Sequence, residues 1–340
     1  MKYNNLSNTG LFVSELCLGT MTFGGNRGGF WEHIGKANQE EVNSIVKTAF
    51  ESGINFIDTA NIYSYGEAEQ LLGQALQDLN IPRDEVVIAT KVRSMMKEKP
   101  NHSGLSRYHI FNSLEDSLKR LQMDHVDILY VHGTDSTTDI EEIMRSLNDV
   151  VESGKVRYLG VCNWPAWMVM KANAIASKNA WHKFVALQYH YSLSARDIER
   201  ELIPLALDQN LSIIPWSPLS GGFLSGKYTK EEKTTDSRRE NFDFPPLNKD
   251  KSYEIIDVLK EIAKVHQVSV AQIALAWVEA QKAITSTIIG AKRVEQLKDN
   301  IESTNIILSE TEFENLDEIS ALNKEYPQWM VERFKDIDGK

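Results

Sequence analysis

Cysteine is scarce in this chain of 340 residues, with only Cys17 and Cys162 present. Two thiols cannot form a disulfide framework, and by themselves they cannot form a cysteine zinc site. This scarcity is typical of proteins in a reducing compartment, so we expect both residues to be small buried side chains and the protein to be cytoplasmic.

Positive charge and long apolar runs are also lacking. Acidic residues outnumber basic ones by 48 to 37, which gives a net charge of −11 and a pI near 5.3. General affinity for nucleic acid or anionic membranes requires basic surface, so neither partner is expected. No eighteen consecutive residues are apolar, and the first seven residues lack the apolar run of a signal peptide. We therefore expect a soluble, intracellular protein.

Short β-rich runs alternate along the chain with longer stretches of helical period. Predicted strands lie at residues 16–18, 55–58, 86–90, 126–131, 156–161, 185–187, 212–215 and 287–289. Predicted helices lie at residues 39–52, 67–79, 106–121, 139–153, 165–178, 195–209, 251–266 and 294–303. Length alone allows two domains or one barrel. Strict alternation of eight strands with eight helices favours an α/β fold of the closed (β/α)₈ TIM barrel type.

Three parts of the sequence depart from this alternation. Residues 3–6 and 11–13 flank a turn and predict an N-terminal β-hairpin that closes the barrel floor. Residues 221–249 show no periodicity, which indicates a long functional or disordered loop. Residues 268–281 and 311–322 predict extra helices.

Four titratable residues carry the chemical signal: Asp58, Tyr63, Lys91 and His132. Each closes a predicted strand or lies in the loop after one, and a parallel barrel brings such positions to one mouth. Each such residue alone is more often a hydrogen-bonded structural group. Together they are hard to explain as coincidence.

Reduction of a carbonyl suits this set of side chains. A tyrosine, with an ordinary pKa of about 10, releases its proton reluctantly unless a cation is near. Lys91 could be that cation, and Asp58 is the carboxylate that would keep it charged when buried. His132 could donate a hydrogen bond to the carbonyl oxygen.

The same residues lie in motifs that resemble the aldo-keto reductase family. The segment Asp58-Thr59-Ala60-Asn61-Ile62-Tyr63 is similar to its signature around the catalytic Asp and Tyr. Ala89-Thr90-Lys91, Tyr130-Val131-His132 and the segment at residues 154–163 resemble its next motifs, in the expected order. Because the likeness covers residues 6–322, we expect a single barrel domain over residues 1–340.

The resemblance implies that NADP(H) binds to the barrel without a Rossmann domain, and no Gly-x-Gly-x-x-Gly follows a predicted strand. It implies that Asn163 and Gln188 hold the carboxamide and that Trp216 stacks on the nicotinamide. The loop at residues 217–227 would bind the pyrophosphate, Lys227, Arg238 and Lys292 the 2′-phosphate, and Gln296 and Asn300 the adenine. The full expected set is Gly19, Thr20, Met21, Asp58, Cys162, Asn163, Gln188, Trp216, Ser217, Pro218, Leu219, Gly221, Lys227, Arg238, Gly290, Lys292, Gln296 and Asn300.

Two positions depart from the family pattern near the site. Cys162 stands where the family commonly has Ser, and Gly133 stands where Arg or Trp commonly follows the histidine. At Lys292 many relatives carry Arg or Ser, which leaves the strength of NADP preference over NAD open.

The leading hypothesis is an NADP-dependent reductase of aldehydes, with ketones as further candidates, and its partner is a small-molecule carbonyl substrate. The alternative is a non-catalytic NADP-binding subunit resembling the β subunits of potassium channels. A lyase or isomerase would need phosphate or metal ligands, and the sequence shows no such spacing. Aromatic residues suggest a small or flat substrate; the candidates for the pocket walls are Phe23, Phe30, Trp31, His33, Tyr65, Trp164, Tyr326, Trp329 and Met330. The sequence defines neither the position of segment 24–35 nor the role of the C-terminal tail.

Overall fold

A computed structural model describes residues 1–25, 29–228, 239 and 242–338. Its main sheet has eight parallel strands. In chain order they are β3 (Leu16–Gly19), β4 (Phe56–Asp58), β5 (Val87–Val92), β6 (Val126–Val131), β7 (Val156–Cys162), β8 (Phe184–His190), β9 (Ser212–Trp216) and β10 (Thr287–Gly290). Each strand from β3 to β8 pairs with the next in the chain, and β10 pairs with β3. A parallel bridge between Ile213 and Ile284 joins the two ends of the sheet. The (β/α)₈ barrel is therefore confirmed.

Helices follow the strands, and their starts carry local signals. The helices are α1 (Gln39–Glu51), α2 (Glu67–Asp78), α3 (Arg107–Leu121), α4 (Ile140–Glu152), α5 (Ala166–Lys178), α6 (Leu202–Gln209), α7 (Lys249–His266), α8 (Val270–Glu279), α9 (Val294–Ile301), α10 (Glu310–Ser320) and α11 (Gln328–Asp338). Asn38 caps α1 in a capping box with Glu41, so two otherwise unpaired N–H groups are bonded. The extra helices predicted at 268–281 and 311–322 are confirmed as α8 and α10.

The N-terminal hairpin closes the base of the barrel, as the sequence predicts. Strands β1 (Tyr3–Asn5) and β2 (Phe12–Ser14) pair antiparallel. Leu6 and Val13 are fully buried and pack in one cluster with interior barrel residues such as Cys17 and Phe56. Burial of this apolar surface stabilises the hairpin on the barrel.

One expectation about the helices needs correction, and one helix was not expected. The single helix predicted at 195–209 is a short 3₁₀ turn, Asp197–Glu199, followed by α6. Pro204 lacks an N–H, so it is tolerated only in the first turn of a helix, and α6 begins just before it. Helix α11 was not predicted from the sequence. Among the described helices, none combines the length and apolar character needed to cross a membrane.

Candidate active site

The structure brings the four candidate catalytic residues together at the carboxyl end of the barrel. Asp58 ends β4, Lys91 lies near the end of β5, and His132 directly follows β6. Tyr63 begins a 3₁₀ turn in which Ser64 and Tyr65 have φ angles of 49° and 53°. This left-handed backbone is sparsely populated by residues other than glycine, and such strain is concentrated at functional sites.

The Lys91 ammonium is the centre of the group. It is almost completely buried, and it donates hydrogen bonds to Asp58 Oδ2 at 2.5 Å, to the Thr59 carbonyl at 2.8 Å and to the Tyr63 hydroxyl at 3.2 Å. An ammonium has three N–H donors, and these three hydrogen bonds use all of them. The amine therefore has one fixed position, between the carboxylate and the phenol.

Burial and charge set the protonation of this pair. Burial by itself would lower the pKa of the Lys91 ammonium, but its interactions with Asp58, Tyr63 and Cys162 together outweigh burial and raise that pKa above its ordinary value. Burial raises the pKa of the Tyr63 hydroxyl, and the positive charge of Lys91 offsets part of this rise. At neutral pH the site therefore holds a charged lysine beside a protonated phenol.

His132 presents a neutral imidazole to the same pocket. Burial, with the charges of Lys91 and Arg93, lowers its pKa to about 3. Its ring lies 6.1 Å from the Tyr63 ring, centroid to centroid. Its buried Nδ1 has no hydrogen-bond partner within the described residues. The imidazole is therefore available to a polar group that enters the pocket.

Gln188 has a contact that sequence reasoning missed. Its side-chain nitrogen donates to Asp58 Oδ1 at 2.8 Å, and its oxygen accepts from the Cys162 thiol at 3.6 Å. Burial raises the pKa of that thiol, so the sulfur stays protonated and can donate. Gln188 therefore orients the carboxylate whose other oxygen binds Lys91.

Trp216, at the end of β9, lies within a stack of rings. One near-parallel neighbour is His190 at 4.7 Å, and the other is Phe244 at 5.8 Å. The indole nitrogen donates to Asn163 Oδ1 at 3.2 Å, which links two of the expected cofactor residues. Sequence reasoning missed His190 and Phe244, although His190 follows Gln188 by two residues on the same strand.

The loop after β9 has the backbone form expected of an anion-binding segment. Gly221 and Gly222 have φ angles of 65° and 87°, and the Gly221 N–H donates to Ser217 Oγ at 2.8 Å. A Cβ at Gly221 would lie 2.7 Å from the Phe244 carbonyl, so only glycine fits. Arg239, which sequence reasoning missed, fastens this loop by donating to the carbonyls of Ser220 and Pro245, both at 2.8 Å.

Several other expected cofactor residues lie at or just after the carboxyl ends of β3 and β10. Gly19 ends β3, the Thr20 N–H donates to the Asp58 carbonyl at 3.0 Å, and Met21 follows half-buried. Gly290 ends β10, and the Lys292 N–H donates to Gln296 Oε1 at 3.0 Å. The remaining positions are Pro218 and Leu219 in the loop after β9, Lys227 with its amine 5.2 Å from the Tyr228 ring centroid, and Asn300, buried on α9. Arg238 lies outside the described residues.

The part of segment 24–35 that is described borders the site. Trp31 is buried with its ring 5.9 Å from that of Tyr63, and Phe30 contacts Phe242 at 4.7 Å. The segment is held by the Gly25 N–H, which donates to Glu67 Oε2 at 3.0 Å. Phe23 and Trp164, two other candidate walls, are instead core residues.

Comparison with known proteins agrees with this geometry. Residues 15–321 match the model of the aldo/keto reductase family. The chain is 35% identical to versiconal hemiacetal acetate reductase of Aspergillus parasiticus, over 94% of this chain and 96% of that protein. It is 36% identical to norsolorinic acid reductase of Aspergillus flavus, over 94% and 81%. A rice protein described as "Probable voltage-gated potassium channel subunit beta" is 34% identical over 96% and 98%. The match to the family model over most of the chain and the agreement of the barrel with it show that this protein belongs to the aldo/keto reductase family of oxidoreductases.

Proposed function

We propose that the protein is an NADP-dependent reductase that converts aldehydes, and also ketones, to alcohols. The observation that carries the proposal is the buried contact of one ammonium with both a carboxylate and a phenol, Lys91 with Asp58 and Tyr63. The names of the two Aspergillus relatives are those of reductases, which supports the same class of reaction.

Tyr63 is the proposed general acid. As negative charge develops on the carbonyl oxygen, the phenol gives up its proton, and the Lys91 ammonium beside it stabilises the phenolate that remains. Asp58 keeps Lys91 charged, and Gln188 fixes the direction of Asp58. His132, as a neutral imidazole, donates a hydrogen bond that orients the carbonyl.

The residues fit a nicotinamide cofactor, which family members generally use. The buried hydroxyls of Thr20 and Thr59, beside Asp58, have no hydrogen-bond partner among the described residues. Gly221 and Gly222, in the loop after β9, have left-handed backbone angles. Such a backbone can direct successive N–H groups toward a pyrophosphate. When bound, a reduced nicotinamide supplies the hydride. Asn163 and Gln188 would hold the carboxamide, and Trp216 would stack on the nicotinamide. The loop at residues 217–227 would bind the pyrophosphate, with Lys227, Arg238 and Lys292 at the 2′-phosphate and Gln296 and Asn300 at the adenine.

Replacement of Tyr63 by Phe tests the acid. We expect the turnover of NADPH with an aldehyde to fall by about 10²-fold or more, the usual contribution of a positioned proton donor. NADPH binding, followed by quenching of tryptophan fluorescence, should remain near that of the unmodified protein. Turnover that survives in this variant would refute the assignment.

Replacement of Lys292 by Met tests the preference for NADP. Loss of one charge-assisted contact to a 2′-phosphate should weaken NADPH binding by about tenfold and leave NADH binding unchanged. Lys298→Met is the matched control, because Lys298 is an exposed cation on α9. Equal effects of the two substitutions on NADPH would contradict a specific phosphate contact at Lys292.

The relationship to the rice protein supports the alternative, a nucleotide-binding regulatory subunit without turnover. Such a protein would bind NADPH but would not oxidise it with any aldehyde. Steady-state NADPH oxidation that saturates with aldehyde concentration distinguishes the two, since the alternative predicts none. We also propose that residues 1–340 form one barrel domain, because the matched residues 15–321 include the whole eight-stranded sheet.

A further inference from the structure

Arg93 occupies an unusual position at the mouth of the barrel. It directly follows β5 and lies two residues beyond Lys91, roughly 6–7 Å farther along the chain toward the mouth. Its φ angle is 142°, in a region that side-chain-bearing residues rarely adopt. Such strain persists only where the surroundings impose it and is concentrated at functional positions.

Two hydrogen bonds hold Arg93 in this conformation. Its carbonyl accepts from the Gly104 N–H at 2.8 Å, and its side-chain Nε donates to the Thr134 carbonyl at 3.1 Å. The second bond ties the guanidinium to the loop that begins at His132. The terminal nitrogens of the guanidinium make no hydrogen bond to any residue in the described part of the chain.

Gly133 puts no side chain beside the guanidinium of Arg93. A Cβ at Gly133 would have only the Arg93 side chain within 4 Å, with Cδ and Nε both at 3.9 Å. Residue 133 therefore has no side chain that could cover Arg93. The positive charge of Arg93 is also near enough to contribute to the lowered pKa of His132.

No carboxylate neutralises this cation within the described residues. Arg93 makes no ion pair there, although the chain as a whole is strongly acidic. Asp58 is engaged by Lys91 and Gln188. On the adjoining loop, Asp135 accepts from the Leu105 N–H at 2.7 Å and from Thr138 Oγ1 at 2.8 Å with one oxygen. An exposed arginine with no ion-pair partner in the described part of the chain, beside a reaction site, is suited to bind an anionic group of a ligand.

We propose that Arg93 binds a carboxylate on the substrate, so that the preferred substrates are aldehydes or ketones that also carry a carboxylate group. The carbonyl then lies against Tyr63 and His132, and the carboxylate lies on the guanidinium at the mouth. This inference rests on the proposed reductase function, and it adds the chemical class of the substrate.

A matched pair of substrates tests the proposal: 4-carboxybenzaldehyde and its methyl ester. At the end remote from the aldehyde, the acid carries a negative charge and the ester carries a methyl group instead. With the unmodified protein and NADPH, we expect kcat/KM for the acid to exceed that for the ester by about tenfold or more, the scale of one charge-assisted hydrogen bond. In Arg93→Met this ratio should fall to about one, and the change should lie in the KM of the acid.

Lys99→Met is the control, because Lys99 is an exposed cation in the same loop after β5. It should keep the acid-to-ester ratio of the unmodified protein, whereas a general field effect would lower the ratio in both variants and overturn the proposal. An acid-to-ester ratio near one in the unmodified protein would also overturn the proposal, as would a ratio that Arg93→Met does not change. In either case, reduction of both aldehydes would still uphold the reductase function. Failure to reduce either compound, together with a neutral aldehyde panel, would reject the reductase function and this inference with it.

Discussion

Replacement of Lys91 by Met removes the positive charge at the centre of the site without a large change in side-chain volume. Three acceptors then lose their donor: the carboxylate of Asp58, the carbonyl of Thr59 and the hydroxyl of Tyr63. The carboxylate decides the magnitude, because an unpaired buried charge costs about 3–5 kcal/mol of folding free energy, whereas a lost neutral hydrogen bond costs about 1 kcal/mol.

The double variant Asp58→Asn with Lys91→Met supplies the matched comparison. It has no buried charge left at this position, so it should be more stable than Lys91→Met alone by about 2 kcal/mol or more. Gln188, which now donates to Asp58 Oδ1, can donate to the amide oxygen of the replacement. Urea unfolding at neutral pH, followed by circular dichroism, gives the free energy of unfolding of each variant.

The pH dependence gives a second check on the same reasoning. Without its cation, the buried Asp58 carboxyl should have a folded-state pKa above its unfolded value of about 3.9. The folded variant then binds more protons than the unfolded chain, so its deficit in stability should shrink as the pH falls below that raised pKa. A cost below about 1 kcal/mol, or a deficit that does not depend on pH, would refute a buried ion pair.

Three further predictions concern other parts of the molecule. Burial lowers the pKa of His132 to about 3, so as the pH falls the imidazole takes up a proton in the unfolded chain before it does in the folded protein. The free energy of unfolding should therefore fall by up to ~1.4 kcal/mol per pH unit below about pH 6.5. Unfolding measured against pH should show this slope in the unmodified protein but not in His132→Gln, and equal slopes would contradict the prediction. Gly160→Ala should cost about 1–3 kcal/mol in urea unfolding, because its Cβ would lie 2.3 Å from the Tyr130 ring, whereas Gly290→Ala, with open space around it, should be near neutral. Arg239→Gln should weaken NADPH binding by about tenfold in fluorescence titrations by freeing the loop after β9; unchanged affinity would argue against that anchoring.

The fold could be predicted from the sequence because its signals are local. Each barrel strand is a short apolar run, and helices α1, α3, α7, α8 and α10 begin after an Asn or Ser whose side chain accepts from a free N–H group. The failure at 195–209 is local too, since Pro204 in the first turn was the available sign that the helix begins at Leu202. Helix α11 also carries a local signal, since Met330, Phe334 and Ile337 recur at spacings of four and three, and sequence reasoning missed it.

The candidate site could be predicted from the sequence only in part. Because parallel strands in a barrel share a direction, the order of residues alone determined that Asp58, Lys91 and His132 would meet at one mouth. Only the tertiary structure decided which atoms touch: that Gln188, 130 residues beyond Asp58, bonds its carboxylate, and that Trp31 lies beside Tyr63. Local sequence patterns specify the direction of a chain segment, whereas contacts between distant residues depend on how whole elements pack, which no local pattern encodes.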